Sequence, residues 1–217
     1  MRGGAHTHLI TALDIGTSKV TCAIARLNPN GQPTLMGYGQ HISKGLKGGA
    51  IVDMQALETA IRGAVHGAEE MARETVTHVY VTLSPSLIQA KNVRIEVSVS
   101  GHVIDDVDVR KIIGQAKESA EKPGIEVIHA LSTGFHVDVI KGIRDPRGMY
   151  GDTMTGHVLL VTCPQGPIRN LYACIERCHL HLQGIVVSSY AAGLSTLVQD
   201  EIDLGVISID MGAGMTS

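Results

Sequence analysis

Leu13-Asp14-Ile15-Gly16-Thr17-Ser18 closes one apolar run, and Ile209-Asp210-Met211-Gly212-Ala213-Gly214 closes another far later in the chain. Both have the order strand, Asp, apolar residue, Gly, then small residues. A carboxylate at a strand end can hold Mg²⁺ through water, and small residues after it let backbone N–H groups approach phosphate oxygens. Such recurrence suggests two related domains facing each other, whose turns would pinch a triphosphate and its metal. Asp14 and Asp210 are the metal-side candidates; Gly16, Thr17, Ser18, Gly212, Ala213 and Gly214 form the expected phosphate cradle. One Asp-x-Gly alone is a common turn, since Asp and Gly suit turns for backbone reasons. The repetition carries the reading. Lys19 can either reach a phosphate or, beginning a strand, face solvent. The Gly-Ala-Gly run lacks the six-residue glycine pattern and the following helix of a dinucleotide fingerprint.

Around the first turn, Leu9 to Asp14, Lys19 to Arg26 and Thr34 to His41 read as a strand meander. Asp53 then caps a helix from Met54 to about Met71, with Leu57, Ile61, Val65 and Ala68 at helical spacing. A strand, Val79 to Leu83, follows, giving βββαβ and predicting a mixed sheet with helical cover. Residues Pro85 to about Pro164 read as an inserted small α+β subdomain. Its elements are a strand Val93 to Val99, a helix capped by Asp105 or Asp106 and running to about Ala120, strands Ile125 to Ala130 and Phe135 to Val139, a Gly/Pro/charge-rich loop Lys141 to Gly151, and a strand Gly156 to Cys163. The first domain resumes with a helix Ile168 to Cys178, a strand Gly184 to Val187, a helix Tyr190 to Leu197 and an apolar strand Gly205 to Ile209. The expected domains are therefore 1–84 with 165–200, the insertion 85–164, and the start of a second domain at 201–217.

Composition narrows the function. The chain is 44% hydrophobic and 18% charged, ordinary for an α/β protein. A formal charge of −3, no Trp and one Phe leave neither the basic footprint nor the stacking platforms of a nucleic-acid binder. Met1 to His8 lacks an apolar signal core, and the longest uncharged stretch, Gly184 to Val198, is short of the ~20 apolar residues a membrane helix needs. Four cysteines without a leader suggest reduced, cytoplasmic thiols. Cys174 and Cys178 with His179 and His181 allow a metal site to be imagined. Without a second short-spaced pair, cysteines as small core residues are the favoured reading.

These motifs resemble those of the actin, sugar-kinase and heat-shock ATPase superfamily, and within it the FtsA family of bacterial cell-division proteins, with an alphaproteobacterial cast. Leu13 to Val20 resembles the superfamily's first phosphate motif and Asp210 to Gly214 its second. The insertion is similar to the one characteristic of FtsA, with Lys141-Gly142-Ile143-Arg144-Asp145-Pro146-Arg147-Gly148-Met149-Tyr150-Gly151 matching its loop, and Asn170-Leu171 through Ile175-Glu176-Arg177-Cys178-His179-Leu180 resembles the helix that follows. The resemblance implies an actin-like (RNase H-like) fold with a truncated second domain. It implies ATP and Mg²⁺ as ligands of the full-length protein, bound weakly or not at all by this portion, filaments on the inner face of the plasma membrane, attachment of the FtsZ ring through a subdomain outside this chain, and membrane contact through a C-terminal helix also outside it. The insertion would recruit later division proteins such as FtsN. Two departures stand out: Met215 where many relatives have Thr, and Ser217 where they commonly have Asp. Ser132-Thr133-Gly134-Phe135 also replaces a Pro-Gln-Glu-Tyr-like stretch, which raises the question of strand-edge contacts there. No Glu or Gln that could position an attacking water stands near either motif, so at most slow hydrolysis is expected in the full-length protein and none in this portion. A phosphotransferase or chaperone-like ATPase of the same superfamily, and an interaction module with vestigial motifs, are the alternative readings.

Overall fold

The computed structural model describes residues 9–83 and 88–217. The expected start of the insertion at Pro85 and the segment Met1 to His8 lie outside the described residues. In chain order the elements are β1 (Leu9–Ile15), β2 (Lys19–Leu27), β3 (Pro33–Ile42), β4 (Leu46–Lys47), β5 (Ala50–Ile51), α1 (Met54–Ala72), β6 (His78–Leu83), β7 (Gln89–Ser98), α2 (Asp106–Ala120), β8 (Ile125–Val137), β9 (Ile140–Ile143), β10 (Thr153–Pro164), α3 (Gln165–Arg177), β11 (His181–Val187), α4 (Ser188–Thr196) and α5 (Gln199–Leu204). They form two compact units, Met1–Ser86 with Pro167–Ser217, and Leu87–Gly166.

In the first unit the sheet order is β11-β6-β1-β2-β3. The meander β1-β2-β3 is antiparallel, whereas β6 runs parallel to β1 and β11 parallel to β6. A parallel neighbour needs a crossover, and α1 lies on the connection from β3 to β6. Alternation puts Leu13, Ile15, Val20, Cys22, Ile24, Val79 and Val81 into the core. Helix α1 starts where the Asp53 carboxylate accepts from the Ala56 N–H at 3.0 Å, and it ends at Arg73 in the left-handed region, φ 55°. Its stripe of Leu57, Ala60, Ile61, Ala64 and Ala68 is fully buried. Close approach is possible because β3 carries glycine where the helix crosses: a Cβ on Gly37 or Gly39 would run into the backbone oxygens of Ala68 and Ala64.

The second unit is an antiparallel sheet, β7-β10-β8-β9, packed on α2. Its core is Val97, Ile104, Ile112, Phe135, Met154, Val158 and Leu160. Asp105 and Asp108 form a reciprocal capping box at the start of α2.

Several expected boundaries are corrected. Ile125 to Val137 is one strand rather than two, because the pairing with β10 continues through two register shifts, one between Val127 and His129 and one between Ser132 and Gly134 that absorbs the irregularity there. Those residues sit inside the sheet, with Thr133 Oγ1 donating to the His157 carbonyl at 3.2 Å. The charge-rich loop begins as β9, since Ile140 and Ile143 pair with Val137 and Phe135. Helix α3 starts at Gln165, before Pro167, a position in the first turn where proline costs no helical hydrogen bond. Helix α4 opens at Ser188 rather than Tyr190, and α5 was not expected. Gly205 to Ile209 is not a strand. Among the described residues it has no ladder partner, and Ile207 is 88% exposed.

Candidate functional site

The two Asp-x-Gly turns are the same backbone structure. In the first, Asp14 pairs with Thr21 and Ile15 with Val20, and the Gly16 N–H closes the turn on the Lys19 carbonyl at 3.0 Å. In the second, Asp210 exchanges both backbone bonds with Ser217 at 2.9 Å, Met211 bridges Thr216, and the Gly212 N–H closes on the Met215 carbonyl at 2.8 Å. Spacing and closure are thus identical. Both glycines have little space for a side chain: a Cβ would lie 3.0 Å from the Lys19 carbonyl at Gly16 and 3.2 Å from the Met215 carbonyl at Gly212.

The turns also meet. A Cβ built on Gly214 would lie 2.5 Å from Thr17 Oγ1, 2.9 Å from its Cγ2 and 3.0 Å from its Cβ. Thr17 and Gly214 therefore bring the two cradle segments into contact, and only a residue without a side chain fits there. Ser18 and Ala213 are exposed at the turn tips, and the Ser18 carbonyl accepts from the Ser43 N–H at 3.0 Å. The Ser43 hydroxyl beside it is buried and has no hydrogen-bond partner. Lys19 opens β2 with its side chain exposed.

Asp14 stands exposed at the end of β1, while Asp210 is half-buried. One partner escaped the sequence reading. Thr82, next to last in β6, is the parallel register partner of Asp14, and its hydroxyl donates to Asp14 Oδ1 at 2.5 Å. The signal available was a threonine near the end of β6, a strand that lies beside β1.

Asp14 and Asp210 are the two carboxylates that would hold a phosphate-bound magnesium ion. Mg²⁺ keeps several waters and takes one or two carboxylates plus phosphate oxygens rather than a protein cage. Among the described residues no group of three or more His, Cys, Asp or Glu side chains converges to hold a metal. Cys174 is buried, and Cys178, just after α3, donates its thiol to the Glu58 carbonyl of α1 at 3.7 Å. Burial, reinforced by the charge of Glu69, pushes the Cys22 thiol up to about 12.

Comparison with known proteins puts this geometry in context. A chain of the PilM-PilN type IV pilus biogenesis complex superposes with a TM-score of 0.57 at 14% identity, covering 85% of this chain and 49% of that one. The architecture is the mixed α/β, actin-like one. Residues 86–162 match the SHS2 domain inserted in FtsA. Cell division protein FtsA of Agrobacterium fabrum is 36% identical over 97% of this chain, and that of Streptococcus pneumoniae 37% identical over 98%. The chain spans about half the length of these relatives, 50% and 47% respectively. It is homologous to the N-terminal half of FtsA.

Proposed function

We propose that the two Asp-x-Gly hairpins are the phosphate clamp of an ATP-binding, actin-like cell-division protein. The observation that carries this reading is the repeated hairpin, identical in register and closure, with Gly214 seated against Thr17. Asp14 and Asp210 hold Mg²⁺ through water. Gly16, Thr17, Ser18, Gly212, Ala213 and Gly214 approach the phosphates, with Lys19 as a candidate counter-charge. Bound Mg-ATP would supply charge to lock the hairpins together, and the chain's own contribution is to orient the phosphates between two closely packed turns. On this reading 201–217 opens the second actin-like domain, and 85–164 is the surface that recruits later division proteins such as FtsN.

Homology to FtsA supports the cell-division role. The finer reading is that the full-length protein polymerises on the inner face of the plasma membrane, contacts FtsZ and the membrane through segments outside this chain, and hydrolyses ATP slowly. Among the described residues no helix is long and apolar enough to cross a membrane. The test is Asp14→Ala in the full-length protein, with Mg-ATP affinity measured by calorimetry and filaments scored by electron microscopy. Both are expected to be lost. Retention of tight Mg-ATP binding would overturn the clamp, and a phosphorylated small-molecule product would favour a phosphotransferase.

A further inference from the structure

We infer that Thr82 is a positioning residue for Asp14, holding one carboxylate oxygen so that the other is presented to the magnesium-bound phosphates. This rests on the nucleotide reading above and deepens it. Asp14 and Thr82 are register partners on parallel strands, so both side chains leave the same face of the sheet at neighbouring positions. The Thr82 hydroxyl donates to Asp14 Oδ1 at 2.5 Å.

The choice of residue fits the task. Threonine is branched at Cβ and stiff about its first side-chain torsion, so its hydroxyl is a fixed donor rather than a roaming one. A hydroxyl is also neutral. It sets the plane of the carboxylate and occupies Oδ1, yet it leaves the negative charge that a divalent cation requires, which a lysine or arginine in its place would cancel. Because Asp14 is exposed, an unrestrained carboxylate there would rotate freely, and that freedom would be lost each time the ligand bound. Asp210 differs: among the described residues no side-chain hydrogen bond or ion pair restrains its carboxylate. The two acidic turns, alike in backbone, are therefore unequal, with Asp14 preset and Asp210 free to adjust.

Calorimetry on the full-length protein separates the possibilities, using Mg-ATP and, in parallel, ATP with EDTA, on wild type, Thr82→Val and Thr82→Ser. Removing a group that orients a metal-side ligand weakens affinity about tenfold or more. Thr82→Val is expected to weaken Mg-ATP binding about tenfold while leaving metal-free ATP binding unchanged, and Thr82→Ser, which keeps the hydroxyl, is expected to restore most of it. Wild-type Mg-ATP affinity in Thr82→Val would overturn the proposal. So would equal weakening with and without metal, which marks a merely structural role. If wild type itself binds no nucleotide, the clamp reading fails, and this proposal with it.

Discussion

Gly214→Ala adds one methyl group at the point where the two turns touch. Its Cβ would lie 2.5 Å from Thr17 Oγ1, 2.9 Å from Cγ2 and 3.0 Å from Cβ. Carbon contacts are comfortable at about 3.5–4.0 Å, so the shortfall toward Cβ is roughly 0.5 Å. Rotating Thr17 about its first torsion moves Oγ1 and Cγ2 aside but cannot move Cβ. The hairpins must therefore separate by about half an ångström or more. Misplacements near 1 Å at a preorganised site cost up to about 100-fold, and a tenfold loss of Mg-ATP affinity, about 1.4 kcal/mol, is the expected outcome. Gly214 is exposed, so the thermal midpoint will hardly move, with a stability change within about 0.5 kcal/mol. Calorimetry on the full-length protein reads the affinity. Combining the change with Thr17→Ala removes two of the three clashing atoms, and the double variant is expected to bind better than the sum of the single losses predicts. Wild-type affinity in Gly214→Ala, or strict additivity in the double variant, would refute the idea that these turns work in contact.

In the first unit, Gly39→Ala drives a methyl into the backbone of α1 and is expected to destabilise by about 1–3 kcal/mol in urea unfolding; Gly114→Ala in α2, where nothing stands near the added methyl, is expected to stabilise by about 0.5–1 kcal/mol. Asp108 is held below the usual carboxylate range by the Asp105 backbone N–H and by His102. Its contribution is therefore present above the unfolded value near pH 3.9 and is lost as pH falls through the lower folded value. Asp108→Asn is expected to be less stable at pH 7 and to lose less stability between pH 5 and pH 2, followed by circular dichroism. Native thiol labelling at pH 8 is expected to modify half-buried Cys178 first, its thiol held below the ordinary range by Cys174 and Arg62, and to spare buried Cys22 until the protein unfolds.

Elements with a strong period and a local cap were legible in the chain itself. Asp53 and the Leu57-Ile61-Val65-Ala68 stripe give α1, Asp105 gives α2, and the alternating runs give β1, β2 and β6, because these depend on neighbours within a few residues. The repeated Asp-x-Gly turn was legible for the same reason: turn closure from Gly to the residue three ahead is local. Residues 205–209 show the limit of that reasoning. Val206 and Ile207 have strand-forming side chains, yet a strand exists only where another backbone supplies its hydrogen bonds. The single long strand β8 likewise depends on β10, whose register absorbs two irregularities that composition alone reads as a break.

Sequence by itself determined the turn chemistry, the helix caps and the resemblance to FtsA. Tertiary structure decided what touches what. Thr82 reaches Asp14 from 68 positions away in the chain only because β6 lies parallel to β1 in one register. Gly214 meets Thr17 only because the second hairpin folds back against the first. Both contacts are set by the packing of strands remote in sequence, and no local propensity encodes such a distance.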